Sequence, residues 1–339
     1  MITGIEIKNK PLNQQKKWQH LLAEAIRDPQ ALIDYLELPN KDIKNTIQAS
    51  EKFKLLVTKS YLDKIEKGNW DDPLLRQILP IKDEMNQNEF YFSDPVGDMS
   101  AALAPGVLQK YYGRALIVTT GTCAIHCRYC FRQEFPYTEL NPAKNNWQQT
   151  IEVIAKNTSL HEVILSGGDP LVLSDERLSS LCHQLAAIPH IKTIRFHSRL
   201  PVVLPERIDE SFLAWFSYLK LNKVFVIHAN HANEIDDKVG DKLRLLACSG
   251  SILLNQSVLL KGVNNSVAVL SDLSHRLFAY QTLPYYLHLL DKVNGTAHFD
   301  VDEPQALMIM KGLRSQLSGY LVPKLVREIS GKRSKTPIV

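Results

Sequence analysis

The sequence predicts an α/β fold in which six βα units form a parallel sheet that curves into a barrel. Short β-rich runs alternate with longer amphipathic stretches from about residue 113 onward, and βα units in series give parallel strands with right-handed crossovers. This rhythm alone does not separate an open doubly wound sheet from a barrel. Each predicted strand ends in polar or ligand-type residues, however, and parallel barrels build their active sites at those ends. The barrel is therefore the favoured interpretation.

The predicted elements follow one another in regular order. The strands are expected at 115–119, 162–166, 192–198, 223–229, 252–260 and 285–291. The helices are expected at 147–156, 174–187, 207–219, 236–248, 266–279 and 303–318. Residues 1–95 are predicted to form a helical N-terminal segment, with helix-like stretches at 18–28 and 65–79, and residues 96–339 to form the barrel core with a C-terminal segment.

The composition is that of an ordinary globular protein. Of 339 residues 45% are hydrophobic and 22% are charged, and the formal charge of +4 does not by itself indicate a nucleic-acid partner. No secretory signal or long apolar run is visible, so we expect a cytoplasmic protein with no membrane partner. Five cysteines, three of them clustered, do not resemble a disulfide framework and fit a reducing compartment.

The clustered cysteines, Cys123, Cys127 and Cys130, have the spacing C-x3-C-x2-C after the first predicted strand. A four-iron cluster is usually held by four thiolates, so three would leave one iron open for a small chelating ligand. The alternative is a structural zinc site, which normally needs four ligands. His126 could supply the fourth, although its place directly before Cys127 is awkward for a single tetrahedral ion.

A second motif, SGGDP at 166–170, follows the second predicted strand. Gly167 and Gly168 would let the backbone approach a ligand closely, and Asp169 could receive an ammonium group. The alternative is a plain βα turn in which Asp169 caps the next helix.

Together these motifs resemble the radical S-adenosylmethionine (SAM) superfamily, in which an aromatic residue, here Tyr129, precedes the last cysteine. The resemblance implies a partial (β/α)6 barrel and a 4Fe-4S cluster, held by the three cysteines, whose open iron chelates SAM. It also implies that Gly167, Gly168 and Asp169 lie in the SAM-binding motif and that His228 contacts SAM.

A longer series of stretches is similar to lysine 2,3-aminomutase, and to its short branch called EpmB or YjeK. The matching stretches are 111–133, 166–170, 199–208, 228–235, 255–264 and 334–337. The resemblance implies conversion of L-α-lysine to β-lysine, with electrons from a donor such as flavodoxin or ferredoxin. In the short branch a lysyl ligase then attaches the β-lysine to elongation factor P.

The family also uses pyridoxal 5'-phosphate (PLP), bound to a lysine near the end of the chain. Lys335, within the stretch 334–337, matches that position, and its amine could condense with the PLP aldehyde. The glycine run that often precedes this lysine is missing here, so Lys332 and a solvated basic tail remain alternatives. Arg114 and Gln256 match positions that bind PLP, and Tyr111 matches an aromatic residue that lines the cofactor.

The resemblance also assigns the two ends of the substrate. Arg132 matches the arginine that binds the substrate carboxylate, which suits a guanidinium fork. Asp291 and Glu328 match two acids that bind the ε-ammonium group, although the family has aspartate at the second position. The alternatives are a surface cation for Arg132, a helix cap for Asp291 and a solvated acid for Glu328.

Other functions remain open at this point. The chain could be an aminomutase for another amino acid, such as glutamate or arginine, or a non-catalytic metal-binding barrel. The longer clostridial-type enzymes carry a zinc-binding extension. Here Ser266 stands where those enzymes have a zinc cysteine, so we expect no structural zinc.

Overall fold

Ten strands form one sheet in which each strand lies beside the strands before and after it, in a computed structural model that describes residues 17–39, 43–137 and 147–339. In chain order they are β1 Ala102–Ala104, β2 Val107–Tyr111, β3 Arg114–Thr120, β4 Glu162–Gly167, β5 Thr193–Ser198, β6 Asn222–His228, β7 Ser251–Val258, β8 Thr282–His288, β9 Lys324–Arg327 and β10 Thr336–Pro337. Strands β3 to β9 pair in parallel, whereas β1, β2 and β10 add antiparallel edges. The predicted α/β class with a largely parallel sheet is confirmed.

The sheet curves until its two sides meet. Strands β2 and β9 are separated by six other strands, yet Tyr111 Oη in β2 donates to Glu328 Oε1 just after β9 at 2.7 Å. Lys110 Nζ lies 3.3 Å from the same oxygen. The backbone ladder does not close between these strands, so this is a partial barrel whose gap is bridged by side chains.

The barrel helices lie close to their predicted positions. They are α6 Gln148–Lys156, α7 Asp175–Ala186, α8 Leu200–Val203, α9 Glu210–Ser217, α10 Asp237–Cys248, α11 Val267–Ala279 and α12 Glu303–Gln316. Several begin at a side-chain cap, for example Ser174 Oγ accepting from Arg177 N and Asp236 Oδ1 accepting from Val239 N. These caps fix where each helix starts.

The sixth barrel strand was predicted at 285–291 but runs from Thr282 to His288. The strand includes Pro284, which cannot donate a hydrogen bond to a ladder. In the structure Pro284 pairs with Asn255 beside a register irregularity, the kind of place where a strand tolerates proline.

The N-terminal segment is helical but more broken than predicted. Its helices are α1 Lys17–Ala23, α2 Pro29–Tyr35, α3 Ile43–Lys52, α4 Lys59–Leu62 and α5 Pro73–Arg76. The predicted helix over 65–79 is wrong for most of its length. Gly68 has a φ of 73°, which a helix does not accommodate. Asp72 then caps a separate helix that begins at Pro73, by accepting from Leu74 N and Leu75 N. The first sixteen residues of this predicted segment lie outside the described part.

The N-terminal segment packs into the same hydrophobic core as the barrel. Trp18, Leu32 and Leu75 are buried in one cluster with the strand residues Phe196 and Phe225. Burying a large apolar side chain stabilises the fold by roughly 1.5–3 kcal/mol, so this shared core joins the segment firmly to the barrel. None of the helices in the described ranges is long and apolar enough to cross a membrane.

Candidate active site

A cavity of about 280 Å³ lies where the C-terminal ends of the barrel strands converge. Every residue that the sequence predicted for a site lines this one cavity. They are Tyr111, Arg114, Cys123, Cys127, Cys130, Arg132, Gly167, Gly168, Asp169, His228, Gln256, Asp291, Glu328 and Lys335. Residues more than two hundred positions apart in the chain are therefore brought together.

The loop that carries the cysteines is held by the backbone of the N-terminal segment. His126 N donates to Leu56 O at 2.8 Å, and Arg128 N donates to Gln77 O at 2.9 Å. The His126 ring nitrogen Nδ1 lies 2.7 Å from Lys54 O. Sequence reasoning left the role of this segment open; its carbonyl groups support the cysteine loop.

A buried ion pair strengthens the same attachment. Arg128 Nε donates to Glu84 Oε1 at 2.9 Å, and a second guanidinium nitrogen contacts Glu84 Oε2. The third nitrogen donates to Phe53 O at 2.7 Å. Burial raises the pKa of Glu84 even beside Arg128, so desolvation offsets part of the attraction.

Glu84→Gln is expected to lower the free energy of unfolding by about 3 kcal/mol, because it leaves the buried Arg128 charge without a counter-ion. The measurement is urea unfolding, together with the iron content of anaerobically purified protein. Asp83→Asn makes the same kind of change on an exposed neighbour and should leave both values unchanged. Equal stability of the two variants would show that the pair does not hold the loop.

The zinc alternative is not supported by the position of His126. This ring stacks on Phe53, with 5.0 Å between ring centroids, bonds to a backbone carbonyl and does not line the cavity. No group of three or more His, Cys, Asp or Glu arranged to hold a metal ion occurs in the part of the chain that the structure describes, a finding that does not separate zinc from a cluster. The cysteine thiols are close neighbours: burial raises the pKa of Cys123, and the nearby Cys130 and Cys127 raise it further. Three thiols on one cavity wall without a fourth ligand fit a cluster better than a single ion.

Gly167 and Gly168 are required by the packing of the strand ends. A Cβ at Gly167, whose φ is 118°, would lie 2.6 Å from Thr120 O, and one at Gly168 would lie 2.2 Å from Thr122 O. Gly168 N donates to Thr120 O at 2.7 Å. The glycines therefore bring β4 against the backbone that leads into Cys123, besides lining the cavity.

Asp169 serves as a structural acceptor in the described protein. Its carboxylate accepts from Ser198 Oγ at 2.8 Å, from Arg199 N at 2.7 Å and from Leu171 N at 3.0 Å. Burial raises its pKa to about 6 despite these bonds. The bond from Leu171 N is the cap that the alternative predicts, and the bonds from Ser198 and Arg199 tie the end of β4 to the end of β5.

Three histidines lie at the strand ends, and only His228 was predicted as a site residue. Gln256 Nε2 donates to His228 Nε2 at 2.8 Å, which requires a neutral ring, and burial lowers the pKa of His228 to about 3. His197 and His288 also line the cavity, and the Nε2 atom of each is buried without a hydrogen-bond partner in the described protein. The sequence feature that could have identified His197 and His288 as site residues is their position at the ends of β5 and β8.

A chain of alternating charges crosses one side of the cavity. Arg132 Nε donates to Asp98 Oδ2 at 2.7 Å, and Lys110 Nζ lies 2.6 Å from Asp98 Oδ1. Lys110 reaches Glu328 at 3.3 Å, and Lys335 Nζ donates to Glu328 Oε2 at 2.5 Å. Burial alone would raise the pKa of Glu328, but the two lysines outweigh it and hold the pKa below its ordinary value. Asp98 and Lys110 were missed because neither belongs to a motif.

Lys335 is the lysine that reaches the cavity, whereas Lys332 is exposed and does not line it. The Lys335 amine lies 5.8 Å from the centre of the Tyr286 ring. The short antiparallel pairing of β10 with β9 brings it there, with Thr336 opposite Arg327. Of the two lysines considered from sequence, the geometry favours Lys335.

Asp291 is the acid left without a partner. Its carboxylate makes no side-chain hydrogen bond or ion pair within residues 17–39, 43–137 and 147–339. Burial raises its pKa to about 7; Lys335 opposes the rise and Glu328 adds to it. A carboxylate in this state gains from any cation that enters the cavity.

Comparison with known proteins gives the family. The profile of a 4Fe-4S single cluster domain matches residues 112–198. The L-lysine 2,3-aminomutase of Escherichia coli is 46% identical over 96% of this chain and 95% of its own length. That of Haemophilus influenzae is 45% identical over 96% of both chains. This chain belongs to the L-lysine 2,3-aminomutase family.

The aminomutase relatives differ in length. That of Clostridium subterminale is 32% identical over 95% of this chain but only 77% of its own length. The chain is therefore of the short type found in Escherichia coli. Among solved structures, a radical SAM methyltransferase from Sphaerobacter thermophilus matches with a TM-score of 0.45 and 15% identity, over 65% of this chain and 68% of that chain.

The cluster-domain match covers the part of this aminomutase-family chain that surrounds the cysteines. Residues 112–198 begin at the turn before β3 and end with β5. They include all three cysteines, the glycine pair and Asp169. Lys335 lies outside that match, and the relation to aminomutases, over 96% of this chain, extends well beyond it.

Proposed function

We propose that this chain is a radical SAM, PLP-dependent isomerase that converts L-α-lysine to β-lysine. The observation that carries the proposal is the single cavity, which holds the three cysteines, Lys335, Arg132 and Asp291 together. Each group alone has a structural explanation. A radical-generating centre, a reactive amine and charges of both signs around one small space are what an aminomutase requires.

The cysteine wall fits a 4Fe-4S cluster with SAM. Three thiolates can hold three irons of such a cluster and leave the fourth open. Gly167 and Gly168 line the same cavity, and without side chains they let SAM lie close to their backbone. We assign His228 to the SAM side as well. Because His228 bonds to Gln256, which we assign to PLP, the two proposed cofactor sites would be neighbours.

A second group of cavity residues fits PLP. Lys335 supplies the amine, and Arg114 and Gln256 supply donors suited to a phosphate. Tyr111 stacks under Arg114, whose guanidinium lies 4.8 Å from the ring centre. The unpartnered nitrogens of His197 and His288 add buried hydrogen-bonding capacity that the protein itself does not fill.

The charges select a substrate with a carboxylate at one end and an ammonium at the other. Asp98 Oδ2 accepts a hydrogen bond from Nε of Arg132. The other guanidinium nitrogens make only a 3.4 Å contact, to Ser166 Oγ, which leaves them to bind the carboxylate of the substrate. Glu328 is already neutralised by Lys110, so Asp291 is the main acceptor for the distal ammonium. Glutamate would present a second carboxylate to Asp291, which disfavours the glutamate alternative.

The side chains of the cavity bind the substrate and orient it relative to the cofactors. When bound, the cluster with SAM supplies a carbon radical and PLP carries the migrating amino group. Arg132 and Asp291 hold the substrate at both ends, which fixes the carbons between them relative to the cofactors. Glu328 Oε2, hydrogen-bonded to Lys335 Nζ, orients this amine in the cavity, where it can act as a nucleophile once it is deprotonated.

The test is an anaerobic assay of the purified protein with reductant, SAM, PLP and L-lysine, followed by mass spectrometry of the amino acids. We expect β-lysine as the product, about four irons per chain, and little turnover of glutamate or arginine. Zinc without iron would support the non-catalytic metal-binding barrel instead. Iron with no β-lysine would leave a radical SAM enzyme of another reaction.

We also propose that the β-lysine serves modification of elongation factor P through a lysyl ligase, with flavodoxin or ferredoxin as electron donor. Full-length similarity to the short Escherichia coli aminomutase supports this assignment. Deletion of the gene should remove the β-lysyl group from elongation factor P, as measured by intact-protein mass spectrometry. An unchanged mass of the factor would refute it.

A further inference from the structure

Arg199, at the end of β5, joins a cysteine of the cavity to the N-terminal segment. Its NH1 donates to Cys127 Sγ at 2.6 Å. Its NH2 donates to Gln77 Oε1 at 2.7 Å and to Glu234 Oε2 at 2.8 Å. One guanidinium thus spans a cysteine, an amide from the segment before the barrel and a carboxylate from the loop after β6.

This guanidinium is surrounded by buried side chains that are themselves held in place by hydrogen bonds. Gln77 and Glu234 are fully buried and hydrogen-bonded to each other at 3.2 Å. The rings of Tyr61 and Tyr129 lie 5.6 and 5.5 Å from the guanidinium carbon. Such a setting leaves the arginine little freedom to turn away from the sulfur.

We propose that Arg199 sets the reduction potential of the iron–sulfur cluster by donating a hydrogen bond to Cys127, and that Gln77 holds it in place. Hydrogen bonds to cluster sulfurs and nearby positive charge stabilise the reduced, more negative cluster. Arg199 is a positioning and tuning residue, since it acts through a ligand. The inference rests on the cluster-binding part of the proposed function.

The simpler explanation is that Arg199 is only a counter-ion for Glu234. A counter-ion needs no contact with sulfur, yet NH1 points at Cys127. The Nε atom of Arg199 is also buried without a partner among the described residues, although the arginine lines the cavity. The guanidinium therefore has a donor that its counter-ion Glu234 does not fill.

The experiment is a redox titration of anaerobically purified, iron-loaded protein without SAM or substrate, followed by electron paramagnetic resonance of the reduced cluster. Arg199→Lys keeps the charge but loses the planar fork, and Arg199→Met loses both. We expect the midpoint potential to move to more negative values in both variants, further in R199M. Arg207→Lys is the matched control, because Arg207 is also fully buried and paired with a carboxylate, Asp175, but lies outside the cavity lining.

Gln77→Leu keeps the inference testable if both Arg199 variants fail to fold. This change is neutral in charge and removes the acceptor that holds Arg199, so we expect the midpoint to become more negative, by less than in R199M. Midpoints equal to those of wild type and R207K in the iron-loaded variants would overturn the inference and leave the proposed function standing. Wild-type protein without iron would instead refute the proposed function itself.

Discussion

Lys335→Ala should abolish β-lysine formation, lowering kcat by at least about a thousand-fold, as when other covalent-catalysis residues are removed. The reason is that Lys335 supplies the amine on the cavity wall in the place where PLP is proposed to bind. The measurement is the turnover rate, combined with borohydride reduction of the PLP-loaded protein and peptide mass spectrometry. In wild type the reduced adduct should map to Lys335.

Lys332→Ala is the matched control for this experiment. Lys332 lies three residues before Lys335 in the same basic run, but it is exposed and outside the cavity lining. K332A should keep both activity and adduct. An adduct that persists in K335A, or that maps to Lys332, would contradict the assignment. The iron content should be the same in all three proteins, because the cysteines are untouched.

Asp291→Asn should lower kcat/KM for lysine by about a hundred-fold or more, since losing one partner of a buried ion pair costs about 3 kcal/mol or more. Norleucine, which is lysine without its terminal amine, distinguishes charge recognition from general damage. The variant should bind norleucine as well as wild type does. Asp302 is an exposed N-cap, a position that asparagine also caps well. The control variant Asp302→Asn should therefore change neither kcat/KM for lysine nor the affinity for norleucine.

The same carboxylate predicts a pH dependence. The pKa of Asp291 lies at about 7, raised by burial, in a field that also includes Lys335, Glu328, Lys110 and Asp98. Below this pH the carboxyl is protonated and neutral; above it the carboxylate is charged and can pair with an ammonium. The KM for lysine should therefore fall as the pH rises through about 7, and D291N should lose this dependence. A parallel pH profile in the variant would assign the effect to another group.

The barrel and the cysteine motif could be predicted from the sequence because their signals are local. The cysteine spacing is complete within a few residues, and the alternation of β-rich and amphipathic stretches repeats along the chain. The helix predicted over 65–79 failed for the opposite reason. Its apolar spacing suits a helix, but Gly68 and Pro73 interrupt it, and the apolar residues pack onto the barrel from short turns and one-turn helices.

The charge chain could not be predicted in the same way. Lys110 meets Glu328 only because the sheet curves until β2 approaches the end of β9. Asp98, which precedes β1, meets Arg132 in the loop after β3. Contacts between such distant segments leave no spacing rule in the sequence. The resemblance to aminomutases supplied Arg132 and Glu328, whereas their partners became visible only in the folded chain.

The support of the cysteine loop by main-chain carbonyls has a consequence for how this protein tolerates change. Carbonyls of Lys54, Leu56 and Gln77 are present whatever side chain those positions carry, so point substitutions at the first two leave the bonds in place. Shortening the chain removes the carbonyls themselves. Lys54 and Leu56 are therefore open to substitution but not to deletion, and a version trimmed to the barrel alone would carry its cysteines on an unsupported loop.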